Sequence, residues 1–146
     1  MACAFFRQPP SLQVVEKLST SLSEKSVPRG TCLFWTGATD RYGYGVHRVV
    51  LNRKRLKLHV HRLAFFLSEP HFRPLSPQFH VSHICHNKLC LRSEHLSYET
   101  ASVNNLRKVC RLNGQCTGHR GFKRCQLDAV TIASYLVLFT TFIWSL

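Results

Sequence analysis

Negative charge is scarce in this sequence. Its 146 residues include 7 Asp and Glu against 20 Lys and Arg, so the net charge is +13 with every histidine neutral. This excess excludes an acidic or charge-balanced protein. It favours a polyanionic partner, because phosphate backbones attract basic side chains by releasing counterions. Nucleic acid is the first expected partner, and a soluble basic surface is the alternative.

The chain also lacks internal repeats, low-complexity tracts and an apolar segment near its start long enough for a secretory signal. Hydrophobic residues make up 45% of the sequence, which excludes a disordered basic tail. Its length suits one domain with a modest core. The seven cysteines are an odd number, so we expect metal binding in a reduced intracellular compartment rather than a disulfide framework.

Local patterns predict a small set of helices and strands. Apolar residues recur at helical spacing within 11–25, so residues 1–30 are predicted to hold an amphipathic N-terminal helix and a linker. Residues 46–51 and 56–60 alternate around a turn and predict a β-hairpin. Residues 62–67 and 99–109 are predicted to be helical.

The second arm of the hairpin alternates polar with apolar residues. One face can therefore pack while the other presents Arg55, Lys57, His59 and His61. A basic strand face suits a DNA groove, and a solvated outer face is the alternative. The side chains expected to contact DNA are Arg48, Arg53, Lys54, Arg55, Lys57 and His59.

Cysteines and histidines cluster at spacings typical of zinc sites. In the first set, Cys85 and Cys90 are separated by four residues and His95 follows, with Cys32 as the candidate fourth ligand. The second set is compact and consists of Cys110, Cys116, His119 and Cys125. Zinc takes four nitrogen or sulfur ligands in structural sites. Because both sets leave no position for water, we expect two structural zinc ions, without which the domain should not fold.

A histidine and an amide lie close to these sets. His83 precedes Cys85 by two residues, and its imidazole is suited to take a proton from water at neutral pH. Asn104 and Asn105 lie on the helix predicted between the two zinc sets. An amide oxygen from either residue can bind a hard cation such as Mg²⁺.

The sequence changes character after Asp128. Residues 129–146 are uncharged and rich in Leu, Val, Ile and Phe, which just reaches the length of a membrane-spanning helix. Five Ser and Thr residues dilute this run. We therefore expect residues 127–146 to form a hydrophobic tail that packs or dimerises, and a membrane anchor is the less favoured alternative.

Taken together, these motifs resemble a known nuclease family. Ser82-His83-x-Cys85-His86-Asn87-x2-Cys90-x4-His95-Leu96 is followed by Asn104-x2-Arg107-x2-Cys110 and Cys116-x2-His119-x5-Cys125. The pattern is similar to the His-Cys box homing endonucleases of the His-Me finger superfamily, over about residues 32–125. The resemblance implies a small α+β, zinc-stabilised ββα-metal domain at 31–126, with an antiparallel DNA-binding hairpin.

The resemblance also implies a role for each motif residue. His83 would be the general base, oriented by a backbone carbonyl near Cys90, and Asn104 would bind one catalytic Mg²⁺. Arg55 would stabilise the phosphorane, with Arg53 as the second candidate. Both zinc ions would be structural, and the hairpin would lie in the major groove of DNA.

The function expected from this resemblance is Mg²⁺-dependent hydrolysis of double-stranded DNA by a homodimeric nuclear endonuclease of homing type. A zinc-dependent DNA-binding module without catalysis is the main alternative. A tail-anchored zinc protein is a weaker alternative.

Overall fold

The computed structural model describes residues 5–7, 9–51, 53–69 and 75–112. Its elements in chain order are α1 (Leu12–Glu24), β1 (Ser26–Arg29), β2 (Cys32–Trp35), β3 (Val46–Leu51), β4 (Lys54–His59), α2 (Val60–Ser68), β5 (Phe79–His83), a short 3-10 helix (Ser93–His95), β6 (Leu96–Thr100) and α3 (Ala101–Leu112). The predicted α+β class is confirmed.

The strands form three antiparallel pairs. β1 pairs with β2, β3 with β4, and β5 with β6, and each of these sheets has two strands. The β3–β4 pair is the predicted hairpin, with Arg48 opposite Lys57 and Val50 opposite Arg55. Two-stranded sheets are marginal by themselves, so their stability depends on a shared core and on other cross-links.

That core joins α1 and α2 to all three sheets. Helix α1 contributes Leu18 and Leu22, as its periodicity predicts, and it packs against α2. Among the described residues, the largest fully buried side chain is Trp35 of β2. The core cluster comprises Phe6, Leu18, Leu22, Trp35, Leu58, Val60, Leu63, Phe66, Leu75, Val81, Leu91 and Leu96.

Gly45 permits a close backbone contact in this core. A Cβ atom on Gly45 would lie 2.5 Å from Val60 Cγ2 and 2.7 Å from Trp35 Cδ1. The Gly45 carbonyl accepts a hydrogen bond from the Val60 amide at 3.0 Å. The residue just before β3 and the start of α2 therefore meet backbone to backbone beside the Trp35 indole.

Several predicted boundaries differ from the structure, and two of them bear on the site. Helix α2 begins at Val60, so His61 lies on a helix rather than on the hairpin face. The β4 strand ends at His59, the partner of Val46, and the chain turns there because Val60 enters the core. The last helix begins at Ala101 rather than Glu99, because Glu99 belongs to β6 and pairs with His80 of β5.

Several predictions lie outside the described residues. These are the ligands Cys116, His119 and Cys125, the side chain of Cys110, the domain boundary at 126 and the tail at 127–146. Within the described part of the chain, no helix is long and apolar enough to cross a membrane.

Candidate functional site

The first predicted set of metal ligands comes together in the structure. One ligand atom from each of Cys32, Cys85, Cys90 and His95 lies within 4.8 Å of all the others. The Nδ1 atom of His95 lies 3.4 Å from the sulfur of Cys90 and 3.6 Å from that of Cys32. Three sulfurs and one imidazole at these separations suit a tetrahedral zinc ion.

Backbone hydrogen bonds bring these ligands together from distant parts of the chain. The amide of Trp35 donates to Leu89 at 2.8 Å, and the amide of Leu91 donates to Leu33 at 2.7 Å. Strand β2 is therefore aligned with residues 89–91, and Cys32 reaches Cys90. The amide of Ile84 donates to the carbonyl of His95 at 2.8 Å, which brings His95 beside the end of β5.

The donor chemistry of the cluster fits zinc. Within it, a hydrogen bond between the thiols of Cys85 and Cys90 lowers the pKa of Cys90 and raises that of Cys85. Cys90 is fully buried, and Cys32, Cys85 and His95 are half-buried. A closed set of three soft sulfurs and one nitrogen is typical of structural zinc, because it leaves no ligand position for water.

An open cleft of about 590 Å³ lies next to this cluster, and His83 lines it. The Nε2 atom of His83 donates a hydrogen bond to the carbonyl of Cys90 at 3.2 Å. Because a carbonyl can only accept, this contact places the proton of the neutral ring on Nε2. The Nδ1 atom then carries the lone pair.

Burial favours the neutral form of His83. Burial lowers the pKa of this imidazole to about 4. The charge of Cys90 and the hydrogen bond to its carbonyl raise the pKa, but by less than burial lowers it. The ring lies among other aromatic groups, 4.7 Å from His61 and 6.2 Å from Tyr44 between ring centroids. At neutral pH the lone pair of His83 is thus free to accept a proton.

The predicted amide, Asn104, lines the same cleft as His83. Its side-chain nitrogen lies 3.1 Å from Nδ1 of His80, which is on β5. Helix α3 packs against both β5 and β6. The neighbouring Asn105 is exposed and accepts a hydrogen bond from Lys108, so Asn104 is the better placed of the two amides.

A buried ion pair fixes α3 on the β5–β6 sheet. Arg107 Nε donates to the carboxylate oxygens of Glu99 at 2.8 and 3.1 Å, and Ser82 donates its hydroxyl to the same carboxylate. Ser82 precedes His83, and Arg107 lies one turn after Asn104. The ion pair therefore links the strand that ends at His83 to the helix that carries Asn104.

Three of the six hairpin residues predicted to contact DNA line a different groove, whereas His59 lines the cleft that contains His83. Arg48, Arg55 and Lys57 surround about 520 Å³ together with three apolar residues of β3 and β4. Arg53 occupies the turn with φ of 61°, and His59 is bound to Asp40 at 3.1 Å. Lys54 is exposed at the start of β4.

Several residues of the cleft were not singled out from the sequence as site residues. His80, His86, Lys88 and Arg62 all line it, and His61 is buried in it rather than exposed on the hairpin. The sequence signal for His80 and His86 was the density of histidine between residues 80 and 86. His61 and Arg62 come from another element, so their approach to His83 depends on tertiary packing.

A comparison with known families places this geometry in context. The model of a family described as the zinc-binding loop region of homing endonuclease matches residues 31–133. The chain belongs to this family. The match covers more than half of the chain and includes every described cluster and cleft residue from Cys32 to Lys108. A search of curated proteins found no match.

Membership agrees with the resemblance read from the motifs. The small α+β fold with antiparallel hairpins and a Cys₃His cluster is consistent with a His-Me finger domain. The zinc-binding description of the family and the four clustered ligands both indicate zinc.

Proposed function

We propose that this protein is a Mg²⁺-dependent DNA endonuclease of homing type in which His83 is the general base. The observation that carries the proposal is the hydrogen bond from His83 Nε2 to the carbonyl of Cys90, at 3.2 Å. It ties a half-buried imidazole to the Cys₃His cluster and turns its basic nitrogen away from that carbonyl. A general base held in this way is preorganised for proton transfer.

In the proposed reaction, His83 accepts a proton from water at Nδ1. The water oxygen forms a bond to phosphorus as the bond to the 3′ oxygen breaks. The neutral ring is suited to this step because burial keeps the pKa of His83 at about 4, so the ring is not already protonated. The backbone carbonyl of Cys90 keeps the ring in one tautomer and orientation.

Asn104 is the candidate ligand for the divalent cation. The described residues that line the cleft include no carboxylate, so a neutral amide oxygen and the DNA phosphate would be the main oxygen donors. A bound Mg²⁺ supplies positive charge at the phosphate and at the leaving oxygen.

DNA is the proposed substrate because of where the positive charge lies. Arg62, Lys88 and Lys108 line the cleft, and Arg48, Arg55 and Lys57 line the hairpin groove. The resemblance assigned phosphorane stabilisation to Arg55. Arg62 is a further candidate for that role, because it lines the cleft that contains His83. The hairpin arginines would then contact DNA outside the cleavage position.

Zinc is proposed as a structural ion at Cys32, Cys85, Cys90 and His95. It would hold β2, the turn before Cys90 and the 3-10 helix around the carbonyl that orients His83. The second zinc ion, the homodimer and the nuclear location remain predictions from the sequence.

A plasmid-nicking assay tests the proposal. Replacement of His83 by Ala should lower the nicking rate in Mg²⁺ by about 10²- to 10⁴-fold, the usual contribution of a general base. Asn104→Ala should also lose nicking, and the adjacent variant Asn105→Ala should keep it. Zinc content and circular dichroism, measured on the same samples, should match the wild type.

Two results would count against the proposal. Nicking that is unchanged in His83→Ala would remove this residue from the chemistry. DNA binding by a zinc-loaded wild type that nicks no substrate from a randomised library would favour the alternative, a zinc-dependent DNA-binding module without catalysis.

A further inference from the structure

His80 and Asn104 meet on one wall of the cleft, although 24 residues separate them in the chain. His80 lies on β5 with its side chain exposed, and Asn104 lies on α3. The packing of α3 on β5 holds the two side chains together, with 3.1 Å between His80 Nδ1 and the amide of Asn104. Two potential metal ligands are thus adjacent in the proposed catalytic site.

The separation of these two groups matches that of neighbouring ligands on one ion. Ligands at 2.0–2.1 Å in an octahedral arrangement lie about 3 Å apart when adjacent. Rotation of the Asn104 amide by about 180° about its Cβ–Cγ bond puts the oxygen where the nitrogen was and the nitrogen where the oxygen was. Rotation of one side chain would therefore place the oxygen of Asn104 beside the Nδ1 atom of His80.

We propose that His80 is a second protein ligand of the divalent cation and binds it through Nδ1, together with Oδ1 of Asn104. This rests on the proposed function, because the ion is the one that the nuclease reaction would use. The proposal adds an imidazole nitrogen to a ligand set that otherwise consists of oxygen from Asn104, phosphate and water.

The charge of the cleft makes a second ligand useful. Lys88, Lys108 and Arg62 line it, and none of the described lining residues is acidic. A cation in this setting is repelled by its surroundings and gains no carboxylate in return, so each neutral donor contributes more to its binding. His80 is the neutral donor that lies next to Asn104.

An imidazole ligand changes which ions the site prefers. Nitrogen donors favour Ni²⁺ and similar transition-metal ions, whereas Mg²⁺ prefers oxygen donors and keeps several waters. The site should therefore accept Mg²⁺ but bind Ni²⁺ more tightly, and this preference should depend on His80.

Calorimetric titration of the full chain with Ni²⁺ and with Mg²⁺ tests the proposal. The protein carries His83→Ala in every sample and is loaded with zinc beforehand, and zinc is measured again afterwards to show that Ni²⁺ has not displaced it. Adding His80→Ala should weaken Ni²⁺ binding by about tenfold or more and change Mg²⁺ binding by much less. His59→Ala is the matched control, because His59 also lines the cleft but is bound to Asp40.

His80→Gln separates a ligand from a residue that merely positions Asn104. Glutamine can still hydrogen-bond to the Asn104 amide but offers no imidazole nitrogen, so Ni²⁺ binding should stay weak. Three results would overturn the proposal. The first is that His80→Gln recovers Ni²⁺ affinity. The others are that His80→Ala weakens the binding of both ions equally, or that it changes the binding of neither. None of these titrations requires cleavage, so failure of the nuclease proposal would be seen separately, in the nicking assay.

Discussion

At the scale of single residues, the histidines divide by environment. His61 is buried in the cleft and His83 is half-buried there, and His47 is buried on the other side of the hairpin. His59 and His80 are open to solvent. The same side chain therefore serves as a candidate base, a candidate ligand or part of the core, and only the structure distinguishes these roles.

His47 gives a test of this division through pH. Its ring is hydrogen-bonded to Ser21 at 3.1 Å and packs against Trp35, and burial, with repulsion from Lys25, lowers its pKa below the usual 6.5. A histidine whose pKa is lowered by folding stabilises the folded state above its unfolded pKa. That contribution is lost as the pH falls below about 6.5.

We therefore expect the free energy of unfolding to fall less between pH 7 and pH 5.5 in His47→Gln than in the wild type. Urea unfolding of zinc-saturated protein measures it. The zinc ligands titrate in both proteins, so their effect cancels in the difference. Equal losses of stability in the two proteins would show that His47 does not titrate on unfolding.

At the scale of elements, local sequence patterns predicted those features of helices and strands that depend on neighbouring residues in the chain. The amphipathic stripe of α1 and the alternation of the hairpin are confirmed, because each depends on a periodicity that packing on one face preserves. The predicted start of α3 at Glu99 was wrong, because Glu99 is held in β6 by pairing with β5. The predicted position of His61 on the hairpin face was wrong, because β4 ends at His59 and His61 lies on α2.

The link between α3 and the β5–β6 sheet makes an element-scale prediction. Arg107 and Glu99 are both shielded from solvent, with 11% and 7% of their side chains exposed. Arg107→Met would leave the Glu99 carboxylate buried without its partner. Loss of one member of such a pair costs about 3–5 kcal/mol of stability.

Chemical unfolding of zinc-loaded protein checks this cost. Lys108→Met is the matched control at the next, exposed position and should have little effect. The double variant Glu99→Gln with Arg107→Met should recover part of the loss, because it also removes the buried charge. A loss in Arg107→Met no larger than that in Lys108→Met would contradict a structural role for the pair.

At the scale of the whole molecule, the described residues form three two-stranded sheets that meet around one core and one Cys₃His cluster. The sequence indicated which side chains belong to the first cluster, because the spacing of Cys85, Cys90 and His95 is local and Cys32 was named as the candidate fourth ligand. It did not indicate the pairing of His80 with Asn104 or the place of Arg62 in the cleft. Both depend on how separate elements pack, which no local pattern encodes.

The central claim is that a zinc ion bound by this cluster holds His83 in place for DNA hydrolysis. Cys32 tests it most directly, because it lies on β2 and far in sequence from the cleft residues it would support. Zinc content and plasmid nicking are measured together for Cys32→Ala and for Cys3→Ala, a cysteine outside both predicted ligand sets.

Cys3→Ala should keep about two zinc ions per chain and the nicking rate of the wild type. Cys32→Ala should bind about one ion fewer and should lose nicking although His83 is intact. Equal zinc content and equal nicking in the two variants would contradict the account.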